Sequence, residues 1–298
     1  MRLASIYLLS CILVSSSVLW GQEENHLFLF EGQSQWTNPS NVGLNKESTL
    51  QLLINSQWLG IKDAPKQQSI LFNSRKDAGK IYLGGGVRNR SRFGEQNIQP
   101  FVQSAFPIQI DPKTIIQLGF QVLGDFYSSE YNYLRSVDGI SRDLLLQQQR
   151  RFIPNFGIGF TFTKNTFWIK GAIPRLLDQQ IIKNNSTVFL KDQLYFFTEL
   201  GVQLPSMPSL YTIKLSANIH NLGYDQLTVQ LKGALSLRMG EFLLGINSSK
   251  NVGVGFEFYE GTILSLGYFF QFPFSTLTEL SKTNHSLSLR FKLSPKKS

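Results

Sequence analysis

Gln57-Trp58-Leu59-Gly60-Ile61-Lys62-Asp63-Ala64-Pro65-Lys66 separates two runs of alternating polarity, and that arrangement decides the fold. Before it, Leu50, Leu52, Ile54 and Trp58 alternate with Thr49, Gln51, Asn55 and Gln57; after it, alternation resumes at Ile70 and Phe72. A period of two marks a strand with one apolar and one polar face. Between the runs Gly60 relaxes the backbone and Pro65 fixes φ and removes a donor, so the chain turns back on itself. The stretch is expected to be a hairpin corner.

The same alternation recurs towards both termini. Ile98, Val102, Phe106, Ile108 and Ile110 oppose Gln99, Gln103 and Gln109; Phe156, Ile158, Phe160 and Phe162 oppose Gly157, Gly159, Thr161 and Thr163. Later copies run through Tyr211–Ile219, Val252–Phe258, Leu264–Phe270 and Leu287–Leu293. In all there are about fourteen segments of ~7 to 12 residues, the pattern of a membrane barrel. One stretch near 127–150 is expected to be a long loop or plug element, with Asp138-Gly139 as a turn and Asp143–Gln149 as a candidate short helix. Asn184-Asn185-Ser186 fits the glycosylation consensus and reads more simply as turn chemistry.

At the N-terminus, Arg2 precedes an apolar run from Leu3 to Leu19, and Gln22-Glu23-Glu24 turns polar. Residues 1–21 read as a secretory signal peptide, leaving 22–298 as one barrel domain. Leu8-Leu9-Ser10-Cys11 imitates a lipoprotein box, but too little apolar chain precedes it and too much follows. Cys11 is the single cysteine, so the mature chain is expected to have neither disulfide nor thiolate chemistry. Charged residues make up 16% of the chain, below the about 25% usual in soluble domains. The net charge of +9 comes from scattered Lys and Arg with no recognition helix or nucleic-acid module, and anionic lipid headgroups account for it equally well.

Alternation alone does not separate a soluble sandwich from a membrane barrel. The export signal, the low charge and strand-end aromatics such as Trp58, Tyr82, Trp168, Tyr195, Tyr211, Tyr259 and Tyr268, read as interfacial girdles, point to lipid. No later run is long enough for a spanning helix, and strands in hydrocarbon must close so that every backbone group is paired. The expected fold is therefore all-β, a single antiparallel transmembrane β-barrel of about fourteen strands in the cell outer membrane. Lys170, Lys214, Lys232, Arg238, Arg290 and Lys292 would face its lumen or rims.

Chemistry is sparse. His26, His220 and His285 are far apart, and His220-Asn221 lacks the strained elbow a serine nucleophile would need. No His-x-x-x-His pair or acidic calcium loop suggests a metal, and Gly84-Gly85-Gly86 lacks the Lys-Ser/Thr ending of a phosphate loop. No enzyme activity, cofactor, metal or nucleic acid is expected.

Four patches give the chain a resemblance to the PorP/SprF family of type IX secretion system outer-membrane proteins. Asn38-Pro39-Ser40-Asn41-Val42-Gly43 resembles the family's Asn-Pro-Ala-aromatic-Ala-Gly segment, with Ser40 and Asn41 departing from it. Gln57, Trp58, Gly60, Ala64 and Pro65 stand in a hairpin similar to the family's Gln-Trp-x-Gly-x-x-Gly-Ala-Pro-Lys, with Asp63 where Gly is usual. Pro154–Gly159 with Phe167–Leu176 resembles its mid-chain strand pair, and His285 to Phe291 its terminal strand, with Ser286 in place of Glu. The resemblance implies a non-enzymatic barrel, tied to gliding motility, that helps export or anchor large adhesins carrying a C-terminal sorting signal. It implies the adhesin's C-terminal domain, other secretion-system components and outer-membrane lipid as partners. A passive pore or small-solute transporter is the competing reading, carried by the polar inner face.

Overall fold

The structure, a computed structural model, describes residues 31–44, 47–74, 81–129, 149–177, 180–183, 186–189, 195–204, 211–221, 227–248, 250–260, 263–273 and 283–293. The alternating runs become β1 (Ser48–Gln57), β2 (Lys66–Ser74), β3 (Tyr82–Arg92), β4 (Glu95–Asp111), β5 (Thr114–Ser129), β6 (Gln149–Lys164) and β7 (Phe167–Ile173). A short separate hairpin follows, β8 (Gln180–Lys183) and β9 (Ser186–Phe189). The series resumes with β10 (Phe196–Leu204), β11 (Tyr211–Asn221), β12 (Thr228–Leu237), β13 (Gly240–Asn247), β14 (Asn251–Glu260), β15 (Leu264–Pro273) and β16 (Asn284–Leu293). All but β8 and β9 close into one barrel of fourteen strands, sealed where β1 pairs antiparallel with β16.

The register fixes the barrel's shape. Paired residues followed once round the wall from Arg150 in β6, through Ser128, Gln96, Ser91, Lys66, Ser56 and His285 and on to Phe167, lead back to β6 at Lys164. That is a shear of about 14, which with ~3.3 Å per residue and ~4.8 Å between strands tilts the strands by about 35°. Alternate residues therefore divide cleanly. Along β13, Phe242, Leu244 and Ile246 are exposed on the outer wall while Glu241, Leu243 and Asn247 are buried inside. Similar exposed rows of Phe, Leu, Ile and Val circle the barrel, an apolar band far larger than water tolerates and suited to lipid.

The barrel's ends differ. The end that carries the N-terminus of β1 has two-residue turns at Pro112-Lys113, Asn165-Thr166 and Arg238-Met239, and the opposite end carries the connections 130–148 and 174–195. Of the stretch read as a non-strand loop near 127–150, Tyr127–Ser129 extend β5 and Gln149–Arg150 extend β6; 130–148 and residues 1–21 lie outside the described residues, as do Asn184-Asn185 between the paired Lys183 and Ser186.

The girdle reading is corrected for several aromatics. Trp168 shares its face with Lys170 and donates through Nε1 to Glu199, so it points into the lumen. Tyr82 lies inside against Gly43, Tyr259 contacts Arg290 on the inner face, and Tyr195 meets the Arg175 guanidinium. Tyr211 and Tyr268 do face outward, by their alternation with buried Ser216 and Phe269 neighbours.

The Trp58–Lys66 corner is a hairpin at the long-loop end, joining β1 to β2. The Gln57 N–H donates to the Pro65 carbonyl (3.0 Å), Ile61 to Trp58 (3.1 Å) and Ala64 to Ile61 (3.4 Å). It also clamps its neighbours: the Trp58 N–H donates to the Thr283 carbonyl ahead of β16, and the Asp63 carbonyl accepts from the Phe93 N–H in the β3–β4 turn. Positive φ values of 51° at Trp58, 92° at Gly60 and 57° at Asp63 set the bend. Asp tolerates this region where β-branched residues do not. Asp63→Val is expected to cost about 1–2 kcal/mol through left-handed strain, and Asp63→Gly to be neutral or stabilising, both read from urea midpoints of the barrel folded in detergent.

Candidate functional site

The described N-terminal residues run inside the barrel as a strap. Pro39 presets φ for a short 3-10 turn (Pro39–Asn41), and Asn38 caps it, its Oδ1 accepting from the Ser40 N–H (2.9 Å) and Ser40 Oγ (2.7 Å). A second 3-10 turn, Glu31–Trp36, precedes it. Pro39, Ser40 and Asn41 are buried, and Asn38 and Val42 are 0% exposed.

Wall side chains meet the strap's main chain. Gln117 Nε2 donates to the carbonyls of Ser40 (2.6 Å) and Val42 (2.5 Å), and Gln103 Nε2 to that of Gln35 (2.9 Å). Asn73 Oδ1 accepts from the Gly43 N–H at 2.8 Å. In return Asn38 Nδ2 donates to the Phe160 carbonyl (3.2 Å), and Ser40 Oγ lies 2.8 Å from Thr161 Oγ1. Each main-chain group enclosed in the lumen without such a partner would cost about 1–3 kcal/mol, so the amide-rich inner face is what lets a loop lie there. Space is made by glycine: a Cβ at Gly119 would collide with the Ser40 amide, and one at Gly159 with Asn38 Oδ1. Gly43 itself has φ +76° and sits hard against the Tyr82 ring. Trp36 packs on Phe101 (centroids 4.6 Å apart) over Leu71 and Leu123, with the Arg88 guanidinium 4.1 Å above its ring.

A second inward segment, Pro174–Leu177, follows β7. Gln121 Nε2 donates to the Pro174 carbonyl (2.7 Å), while Asn155 Oδ1 accepts from the N–H groups of Leu176 and Leu177 and its Nδ2 donates to the Leu177 carbonyl. Arg175 pairs with Asp125 at 3.3 Å. Several of the basic residues expected at the lumen or rims meet carboxylates. Lys170 and Lys232 lie 3.0 and 3.7 Å from Glu199, Arg290 lies 2.7 Å from Glu257, and Lys292 lies 3.1 Å from Glu47. Lys214 lines the same cavity as Lys170 and Glu199, and Arg238 is in an exposed rim turn.

The residues named from sequence fall in three separate places. Asn38, Pro39 and Gly43 are in the strap; Gln57, Trp58, Gly60, Ala64 and Pro65 form the rim hairpin; His285 and Phe291 face outward on β16. His285 Nδ1 is 2.7 Å from the Tyr268 hydroxyl on that outer wall. His220 is buried in the lumen, 3.0 Å from Asn218 Oδ1 and stacked on Phe197, while Asn221 belongs to the opposite face of β11. Among the described residues no three His, Cys, Asp or Glu side chains gather into a metal-holding group, and no helix is long and apolar enough to cross a membrane. Sequence reasoning missed the strap's wall partners Asn73, Gln103, Gln117 and Thr161; their signal was a polar face built from amides and hydroxyls rather than charges.

Residues 27–291 match the profile of a family described as type IX secretion system membrane protein PorP/SprF. No curated protein sequence matches the chain. Among solved structures, the TodX monoaromatic hydrocarbon channel deltaS2 mutant is similar at 8% identity over 87% of this chain and 93% of its own, TM-score 0.51. The Acinetobacter baumannii outer membrane protein Omp33 is similar at 6% identity over 83% of this chain and 98% of its own, TM-score 0.49. The KdgM porin gives 7% identity, 83% and 99% coverage and a TM-score of 0.38. At such identity the TodX likeness concerns the barrel fold alone.

Gly119→Val is expected to expel the strap while leaving the outward rows of β5 intact. A maleimide should then label Ser40→Cys in that background about tenfold faster than in the parent, with the heat-modifiable barrel band on denaturing gels unchanged.

Proposed function

The chain belongs to the PorP/SprF family of type IX secretion system membrane proteins and is an outer-membrane β-barrel, and from that premise we propose that it is a non-enzymatic component assisting secretion or surface anchoring of large adhesins with C-terminal sorting signals. The family match across residues 27–291 carries this reading. Its partners would be the adhesin's C-terminal domain and other secretion-system components, with lipid against the apolar band.

The lumen speaks for a docking role over a passive pore. The strap holds the inner wall of β2 to β6, Pro174–Leu177 lies against β5 and β6, and Lys170 and Lys232 on the facing wall meet Glu199. Partners would then meet rims and connections. Barrels of this kind place short turns in the periplasm and long loops outside, which puts the Trp58 hairpin, with exposed Lys62, Asp63 and Lys66, on the cell-surface side.

Deleting the gene should leave the cognate adhesin unsecreted or shed into the medium, measured by surface labelling and immunoblots of cells and supernatant; every adhesin normally attached would end the proposal. The purified full-length protein in planar bilayers should show no steady open conductance, whereas porin-like conductance would return the advantage to the passive pore.

A further inference from the structure

Three inward-facing lysines, Lys170 on β7, Lys214 on β11 and Lys232 on β12, surround one cavity of about 30 Å³. The register brings them there. Lys170 pairs with Glu199 of β10, Lys232 with Ser216 and Lys214 with Ala234, so all three stand on strands next to or near the Glu199 carboxylate. Trp168 forms one side of the cavity: its ring lies across Gly201, where a Cβ would collide with it, and its Nε1 donates to Glu199. Ser34, in the first turn of the strap, belongs to the lining as well.

The charges around this cavity do not balance. Lys170, 7% exposed, and Lys232 meet the same carboxylate at 3.0 and 3.7 Å, so Glu199 serves two cations. Lys214 adds a third positive charge, and Glu241, which accepts from the Ser236 hydroxyl at 2.7 Å, a second negative one. Three lysines against two glutamates leave the lining at +1 among the described residues, and the neighbouring Arg290–Glu257 pair does not alter that sum. Net charge held away from bulk water is costly, and a counter-ion relieves it. A contact with one carboxylate does not exhaust the three N–H donors of a lysine. The Ser216 hydroxyl, in the same lining, is a further donor.

Size selects the ion. The 30 Å³ correspond to about two water-sized spheres, enough for one monatomic anion and too little for a phosphate, a sugar or a peptide terminus. We propose that this cavity binds a single monovalent anion, chloride or a like halide, held by the lysine ammonium groups and the Ser216 hydroxyl. The ion completes the charge balance where the first turn of the strap meets the wall of β7 and β10 to β13. Its binding is independent of the cargo the barrel serves.

Because Trp168 lines the cavity, bromide, a heavy-atom quencher of indole that acts at contact, reports its occupancy. The purified full chain, folded in detergent at constant ionic strength with gluconate as the balancing anion, is titrated with bromide. A saturable fraction of the tryptophan fluorescence should be quenched, chloride should reverse it, and Trp168→Phe should lack that fraction. Lys214→Met is expected to raise the half-saturating bromide concentration at least about tenfold, and Lys214→Arg to retain binding. Glu241→Gln, which takes the lining from +1 to +2, should lower that concentration. This last variant keeps the test decisive where Lys214→Met loses the heat-modifiable barrel band, since damaged packing does not tighten an anion; bromide bound no tighter by Glu241→Gln would overturn the proposal. Quenching that never saturates and is the same in every variant means that water alone occupies the cavity, and saturable quenching by caesium in place of bromide means a cation. Either result ends the proposal.

Discussion

Closure of the sheet between β1 and β16 is the contact on which everything else depends. Its register runs unbroken from Ser48 opposite Leu293 to Gln57 opposite Asn284. Left open, each strand would present a row of unpaired N–H and C=O groups to hydrocarbon, at several kcal/mol per group. Closed, those groups are paired within the wall, and side-chain choice is freed to serve two solvents. Asn55 shows the outcome at the seam itself. It faces inward and donates to Asn284 (2.5 Å) and Ser286 (2.8 Å) of the last strand, while its neighbour Ile54 is half exposed to lipid. First and last strands are thus joined by side chains as well as by the ladder.

Fourteen strands at this tilt enclose more space than their inward side chains fill. Water would fill it in a porin. Here the strap and Pro174–Leu177 occupy part of it, along β2 to β6, and the chemistry of that part of the inner face follows. A loop enclosed in a lumen brings its own carbonyls and amides, and a Gln or Asn side chain offers a donor and an acceptor on a reach that can match either. Gln117 bridging two strap carbonyls and Asn155 imitating a neighbouring strand for Leu176 and Leu177 are two uses of one device. Several of the buried charges meet opposite ones, as at Lys170 and Lys232 on Glu199, since an isolated ion away from bulk water is penalised far more than an amide.

Much of the barrel was legible in the sequence because alternation is a local property: the β1–β2 hairpin, the strand number, and the polar face to which Gln103, Thr161 and Lys170 belong all follow from spacing. The strap was not legible. Residues 31–41 form 3-10 turns with no two-residue period, and their partners are distant in sequence, as with Ser40 and Thr161. The misplaced aromatics have a different cause. A Trp near a strand end looks the same in composition whether it meets lipid or lumen, but Trp168 lies two residues from Lys170 and so shares its face. Parity decides such cases, where residue type does not.

The departures from the family's pattern fit the same physical picture, one position at a time. Ser40, where the pattern has Ala, uses its hydroxyl on Asn38 and Thr161. Asn41, where an aromatic is usual, donates to the Ser34 carbonyl (3.1 Å) and accepts from Thr161 (3.3 Å), so polar contacts hold the turn that a ring would otherwise pack. Asp63 takes the positive φ for which Gly is suited, tolerably because its short side chain is exposed. Ser286 faces the lumen and accepts from Asn55, so no charge needs a partner there. Each change is absorbed by neighbours within the strap, the hairpin or the seam, and none links one of these places to another. The motif residues are therefore separate structural solutions to lining, turning and closing one barrel, and recognition of a partner has to be sought on the rims that these solutions hold in place.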